Sequence, residues 1–481
     1  GAAAALVGGA GGRAGARRTV EMRSFAEKPM KVLIAGGGIG GLILGKSLEA
    51  NGIEYEIFEK TAEYKPFGGP IQIQSNALAA LEAIDKTLAQ EIMDAGTLTG
   101  NRINGLKDGV RGYWLAKFDT GAPAQRTGLP LTRVVPRPAL QDLSLKAVDR
   151  AHVHNGKDLL RYEETEDGVT AYFEDGTSAT GDALIGADGI WSVVRAQLCN
   201  QPRFKDGAAY SGYTCFTGLC KHSPRNKKEV AYTVFLNAGK YFVASDVGDG
   251  MMAWYGFVGQ EPGLEDGEEG YQERMRREFA GWNSEVTDII EATTDDNIER
   301  RDLYDRAPLM LKGWVSPRVA LMGDAAHPMM PNLGQGGCQA IEDAYRLGVE
   351  LGRATNTQEL SQALKRYESE RLPRSAAVQG LARIASDILF YSELLFSNEL
   401  VGRTVGFFMG ISLPLILQFL FLNTLDQRDW NPISARLSSS NAYAKEIALS
   451  DYPSVAAARA ALAIKERRWA EEDKNQQRAS A

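Results

Sequence analysis

The run Val32-Leu33-Ile34-Ala35, followed by Gly36, Gly38 and Gly41 at the spacing G-x-G-x-x-G and then by Leu42, Leu44 and Leu48, constrains this chain more than any other stretch. A short apolar run predicts a buried strand, and leucines at helical spacing predict a helix that starts within the glycines. Glycine lets the backbone turn sharply and approach a ligand closely, while the helix start offers free N–H groups and the positive end of its dipole. A second strand, Ile53 to Phe58, ends at Glu59, 23 positions beyond Gly36. A carboxylate there accepts both hydroxyls of an adenosine ribose. Gly36, Gly38, Gly41, Glu59 and its neighbour Lys60 therefore predict a dinucleotide site.

Two later stretches repeat the strand, turn and helix pattern. Ala183-Leu184-Ile185-Gly186-Ala187-Asp188-Gly189 leads to Trp191, Ser192 and Arg195. Val319-Ala320-Leu321-Met322-Gly323-Asp324-Ala325-Ala326-His327-Pro328 leads through Pro331 to Gly334, Gln335, Gly336 and Gly337. The segment that follows carries Ala340, Ile341, Ala344, Leu347 and Leu351 at helical spacing, so glycines again open a helix. Only one complete dinucleotide fingerprint is present, whereas a nicotinamide dehydrogenase would use it for NAD(P) and add a recognisable proton-transfer residue. Three junctions around one nucleotide suit a long, extended cofactor, and FAD fits. Arg137 and Gln141 open another helix; the guanidinium there either binds a pyrophosphate or is a surface Arg near a helix start.

Between the junctions the pattern is β-rich. Glu166-Asp167-Gly168 and Glu174-Asp175-Gly176 are turn signals between short alternating strands. From Tyr210 to Phe257 aromatic strands predict one antiparallel sheet, read as the wall of a substrate cavity, although aromatic stripes in strands are more often plain core. A chain of 481 residues exceeds a single core. The division expected is a discontinuous FAD-binding domain over 30–110, 131–200 and 300–355, a substrate-binding sheet domain over 111–130 and 201–299, and a helical C-terminal region over 356–481, with helices at Glu359–Arg371 and Ala376–Leu395. The formal charge of −7 and the lack of a K/R-rich tract argue against a nucleic-acid partner. Cys199, Cys215, Cys220 and Cys338 form no CxxC pair and have no His at ligand spacing, so no metal site is expected and a reducing compartment is the default.

Residues 1–29 lie outside the expected fold. The first twenty are Gly/Ala-rich with Arg13, Arg17 and Arg18 and no acid, a composition that suits the remnant of an organelle transit peptide or else a flexible artificial extension. Near the other end, 406–422 is the most hydrophobic window, interrupted by Pro414 and Gln418. Three readings stand for it: interfacial membrane attachment, a buried or dimer-contact helix, and a true membrane span.

The signatures Gly36-x-Gly38-x-x-Gly41, Gly186-Ala187-Asp188-Gly189 and Gly323-Asp324-Ala325-Ala326-His327-Pro328 resemble, in order and spacing, those of the single-component class A flavoprotein monooxygenases. Within that family the chain is most similar to the plant and algal epoxidases of xanthophyll end rings. The passages that carry this are Gly69 to Leu81, Tyr210 to Cys215, Arg300 to Arg306 and Pro331 to Cys338. The resemblance covers roughly Met30 to Ala385, with a weaker echo to Leu437. The C-terminal forkhead-associated domain that plant members often add has no counterpart here.

This resemblance implies an α/β fold: an FAD-binding Rossmann-like domain of glutathione-reductase type, an inserted antiparallel β-sheet substrate domain and a helical C-terminal region. It implies that NADPH reduces FAD, that O2 adds at flavin C4a, and that the hydroperoxide delivers oxygen to an end-ring alkene of a carotenoid. By position, Glu59 holds the ribose, Arg137 and Asp188 stand by the diphosphate, and Asp324 bonds the ribityl chain. Pro331, Gly334, Gln335, Gly336 and Gly337 border the flavin ring as the catalytic surface, and His327 is structural by default. The implied setting is a plastid, at the thylakoid or envelope membrane surface, with a reductase or ferredoxin system as a further partner. Rival readings are a paralogue acting on another carotenoid, an aromatic hydroxylase of the same flavin family, and a non-catalytic flavin-binding partner at a membrane.

Overall fold

In the computed structural model, residues 30–391 are described except 65–68, 202–206, 225, 227, 238, 265–268, 310–312 and 355, together with Thr404 and Ile416. The N-terminal extension, nearly all of 406–422 and the tail beyond it lie outside the described residues. Five parallel strands form the first sheet, in the order Val319–Leu321, Ala183–Gly186, Lys31–Ala35, Glu54–Glu59, Val153–Asn155. Parallel sheets are covered on both faces, which is why the three central and edge strands Lys31–Ala35, Ala183–Gly186 and Val319–Leu321 read as apolar runs; Val32, Leu33 and Ile34 are completely buried. Helix Ile39–Ala50 leaves the first glycine turn and packs on helix Gly336–Arg353, which leaves the third. Their approach depends on Gly348, where a Cβ would lie 2.1 Å from Ser47 Oγ.

The two acid-glycine turns join Leu159–Glu164, Val169–Phe173 and Ser178–Gly181 into a small antiparallel sheet. A seven-stranded sheet runs in the order Ile298–Asp305, Ala209–Lys221, Met251–Gly259, Lys240–Asp246, Val230–Asn237, Ile103–Asp108, Trp114–Phe118. It departs from expectation in two ways. Ile103–Asp108 and all but the first two residues of Ile298–Asp305 come from segments assigned to the cofactor unit. The sheet is also not wholly antiparallel, since Ile103–Asp108 pairs in parallel with Val230–Asn237. A partner more than a hundred residues away leaves no trace in the local pattern. One face of this sheet buries Phe235, Phe242 and Trp254 against Met275, Phe279 and Val286 of two helices, Tyr271–Glu278 and Ser284–Glu291. Each such side chain contributes roughly 1.5–3 kcal/mol. The other face looks toward the first sheet.

Two elements join the sheets. Strands Ile71–Ile73, Arg133–Val135 and Thr97–Leu98 form a small antiparallel bridge. Helix Leu360–Tyr391 is continuous for 32 residues through Pro373, where two helices were expected. A proline inside a helix costs about 3 kcal/mol or more. Here Arg371 and Arg374 on either side are anchored to Glu342 at 2.5 and 2.7 Å, which holds the helix across the break. Further along, Gln379 donates to the carbonyls of Arg306 and Pro328, and Ser386 shares a 2.5 Å hydrogen bond with Tyr213 of the large sheet.

All four cysteines are buried and free. Among the described residues no helix is long and apolar enough to cross a membrane. Ile416, from the apolar window, packs against Val378 of the long helix.

Candidate active site

The first glycine turn is built by close backbone contact. Gly36 has φ +109°, its N–H donates to Phe58 O at 2.8 Å, and a Cβ there would lie 2.3 Å from Ala187 O. A Cβ at Gly41 would meet Gly36 O at 2.0 Å, whereas one at Gly38 would meet nothing within 4 Å. Gly36 and Gly41 thus serve the chain's own packing, and Gly38 leaves open space at the helix start. Glu59 accepts from the Gly37 N–H at 2.8 Å and from the Thr61 N–H and hydroxyl at 2.9 and 2.5 Å. Its carboxylate is fixed beside the turn, while Lys60 is exposed. Next to it the buried Tyr64 hydroxyl has no hydrogen-bond partner among the described residues; burial, and then the charge of Glu59, push it up to about 12.

At the second junction Ala187 and Gly189 face the cavity, but Asp188 does not. Its carboxylate accepts from the Ser192 hydroxyl at 2.5 Å and the Val193 N–H at 2.8 Å, so it caps helix Val193–Leu198 from behind. This differs from the expected place beside a diphosphate: carboxylates satisfy the exposed N–H groups of a helix start. Burial raises the Asp188 pKa against those hydrogen bonds. Arg195 of the same helix donates to the carbonyls of Ala325 and Ala326 at 3.0 and 2.8 Å, tying the second junction to the third.

At the third junction Gly323 has φ +56° and its N–H donates to Asp343 Oδ2 at 2.8 Å. The same oxygen pairs with His327 Nε2 at 2.6 Å, so His327 supports the turn, as expected. Asp324 is exposed into the cavity, and desolvation by the surrounding walls raises its pKa, opposed by His327 and Arg137. Gly334, at φ +61°, turns the chain into the Gly336 helix start. Pro331, Gly334, Gly336 and Gly337 line the cavity, whereas Gln335 does not. Its amide donates to Gln74 at 2.6 Å and accepts from Asn76 and Gln339 at 3.0 and 2.9 Å, inside the wall.

Behind that wall lies an ion network that sequence reasoning missed. Arg371 bonds Glu342 and Asp343 at 2.5 and 2.7 Å, and all three are at least 94% buried. Burial pushes Asp343 up, but His327 and Arg371 outweigh it and hold the group at about 2. The available signal was two adjacent acids, Glu342 and Asp343, on the apolar face of a helix.

The glycine turns and the large sheet enclose one cavity of about 540 Å³. Arg137 projects into it at one side beside Asp324, Glu299 and Arg301; burial, and then Arg301, lower its pKa. The large sheet adds an apolar and aromatic wall with Val234, Tyr241, Val243 and Phe257, while its Tyr255 lies near Arg137. Among the described residues no cluster suits a metal ion.

This pairing of a parallel sheet bearing three glycine turns with a large sheet closing a shared cavity defines an FAD-binding monooxygenase fold. Residues 29–382 match the family described as FAD binding domain, and the chain belongs to that family. Among curated relatives it is 42% identical over 435 residues to a chloroplastic zeaxanthin epoxidase of Oryza sativa subsp. japonica, covering 85% of this chain and 65% of that one. It is 45% identical over 439 residues to the zeaxanthin epoxidase of Solanum lycopersicum, covering 86% and 64%. The chain thus spans less than two thirds of the length of these relatives. Klebsiella pneumoniae HpxO, solved with FAD and uric acid, superposes with a TM-score of 0.74 at 29% identity, covering 82% of this chain and 97% of that one. A salicylate hydroxylase substrate complex has a TM-score of 0.68 at 22% identity, covering 85% and 98%, a likeness of fold alone.

The residues present fit an FAD. A Cβ at Gly38 or Gly189 would meet nothing within 4 Å, and one at Gly336 only Met329 at 4.0 Å, so all three turns leave room for a ligand. Among the described residues the Asn332 side-chain nitrogen is buried without a hydrogen-bond partner beside the last of them.

Proposed function

We propose that the chain is an FAD-dependent monooxygenase that epoxidises the end-ring double bond of a xanthophyll, converting zeaxanthin to antheraxanthin and then violaxanthin. NADPH, directly or through a reductase or ferredoxin system, is the reductant and O2 the co-substrate. The observation that carries the reading is the two-sided cavity, polar where FAD fits and apolar where a hydrocarbon ring would lie. Family membership and the identity to chloroplastic zeaxanthin epoxidases support it.

Glu59, held by the Gly37 N–H, bonds the ribose. Arg137 neutralises the diphosphate and Asp324 accepts from the ribityl hydroxyls. Pro331, Gly334, Gly336 and Gly337 border the flavin ring, where the N–H groups of the Gly336 helix start stabilise negative charge on the reduced ring. Bound and reduced, FAD activates O2 and supplies an electrophilic oxygen atom. An alkene loses no proton on epoxidation, so the site needs no base. Accordingly no histidine lines the cavity among the described residues, and its lining carboxylates, Asp324 and Glu299, stand beside Arg137. The apolar wall excludes water and holds the ring. The site of action is a plastid membrane surface, where a lipid-dissolved pigment is met.

Incubating the purified chain with FAD, NADPH and zeaxanthin, with chromatography of the pigments, tests this. Appearance of mono- and diepoxide is expected. NADPH oxidation with the pigment left intact would contradict it.

A further inference from the structure

Three tyrosines on three neighbouring strands of the large sheet face the cavity. Two have their hydroxyls committed: Tyr241 donates to Asn332 Oδ1 and Tyr255 to Pro70 O, each at 2.5 Å. The hydroxyl of the third, Tyr232, has no hydrogen-bond partner among the described residues. Tyr232 is half-buried against the neighbouring side chains of the wall; burial pushes its hydroxyl up to about 12, and it is neutral at physiological pH.

Directly opposite Tyr232 in the strand register is Ser245, and opposite Ser245 is Ala253. Ser245 is 3% exposed, and among the described residues its hydroxyl makes only a long 3.4 Å hydrogen bond to Asp246 O. Cross-strand neighbours on one face stand about 5 Å apart at Cβ, close enough for both hydroxyls to reach one ligand atom. Ala253 presents a methyl where the neighbouring rows carry rings, which opens space beside the pair. The row is thus a neutral polar pair beside Val234 and Val243 in the sheet's wall. A hydroxyl both donates and accepts, so the pair suits a ligand able to do the same.

We propose that Tyr232, supported by Ser245, is the subsite for the hydroxyl of the substrate's terminal ring, a neutral alicyclic alcohol. Through it the cavity distinguishes a hydroxylated ring from a hydrocarbon one. The inference rests on the xanthophyll reading and adds to it the residue that reads the oxygen. No charged group takes part, so carboxylates and phosphates are not ligands of this row.

The test compares zeaxanthin with β-carotene, which has the same skeleton without the hydroxyls, on FAD-loaded wild type, Tyr232→Phe and Ser245→Ala. For Tyr232→Phe, kcat/KM on zeaxanthin falls about five- to tenfold, carried by KM with kcat nearly unchanged. Activity on β-carotene and flavin content stay as in wild type, and Ser245→Ala shifts the same way by less. Equal losses on both pigments, or none on zeaxanthin, would overturn the subsite. Pigment binding, followed by quenching of tryptophan emission, separates this from the reading beneath it. If wild type converts neither pigment, the epoxidase reading fails, and selective weakening of zeaxanthin binding by Tyr232→Phe still decides the subsite. If wild type binds neither, both fail.

Discussion

The two sides of the cavity are built by different means. On the glycine side, backbone does the shaping: Gly36, Gly323 and Gly334 sit at positive φ, and the turns are braced from behind by Asp188, Arg195, His327 and Asp343. On the sheet side, side chains do it, with Tyr241 stacked on Phe257 at 4.0 Å, hydroxyls set among apolar groups, and the charged pair Glu299 and Arg301 on the edge strand. A backbone cradle takes one invariant cofactor, whereas a wall of side chains is free to be re-cut for a substrate. Changes on the first side should therefore abolish cofactor binding or stability, and changes on the second should alter selectivity.

The largest effect is expected at Asp324. Asp324→Ala should lose bound FAD and all activity; stoichiometric flavin in the absorbance spectrum of the purified variant would break the comparison. Next comes Arg371→Ala, which strands Glu342 and Asp343 as buried charges and should cost about 3–5 kcal/mol in urea unfolding. A loss as small as that of a surface ion pair would mean the network is not what braces the cradle.

Acid should act on the same side. Asp343 is held below its unfolded value, at about 2. Its contribution is complete above pH ~4 and is lost as the pH falls toward 2, about 2 kcal/mol in all. Unfolding free energies measured across that window should show a slope that Asp343→Asn removes. The smallest effect is at Tyr241, where Tyr241→Phe gives up one hydrogen bond to Asn332 for about 1 kcal/mol. Flavin content should not change; loss of flavin would show that the sheet side also holds the cofactor.

Much of the first side was legible in the sequence because its requirements are local. Strand, glycines and an acid at fixed spacing leave few alternatives, and the structure puts Gly36, Gly38, Glu59 and Asp324 around the turns so predicted. Where that reading strayed, one residue type had two uses. Asp188 ends a strand as a ligand-binding acid would, yet caps a helix, and Gln335 sits in a glycine loop with its amide turned into the wall. The second side was less legible because period-two alternation encodes burial and not pairing. Nothing near Ile103–Asp108 announces Val230–Asn237 as its parallel partner. Nor does Tyr232 differ in pattern from Tyr241 or Tyr255; only their hydrogen bonds tell them apart. Continuity through Pro373 likewise depends on Glu342, a residue of another helix.

The central claim is that a cradle for FAD and an apolar wall together insert one oxygen atom of O2 into a ring alkene. It is tested most directly by turnover of zeaxanthin under isotopically labelled O2, with mass spectrometry of the pigment. One labelled oxygen in each epoxidised ring is the predicted result. Unlabelled epoxide, or reductant consumed with the label found only in hydrogen peroxide and water, would contradict it.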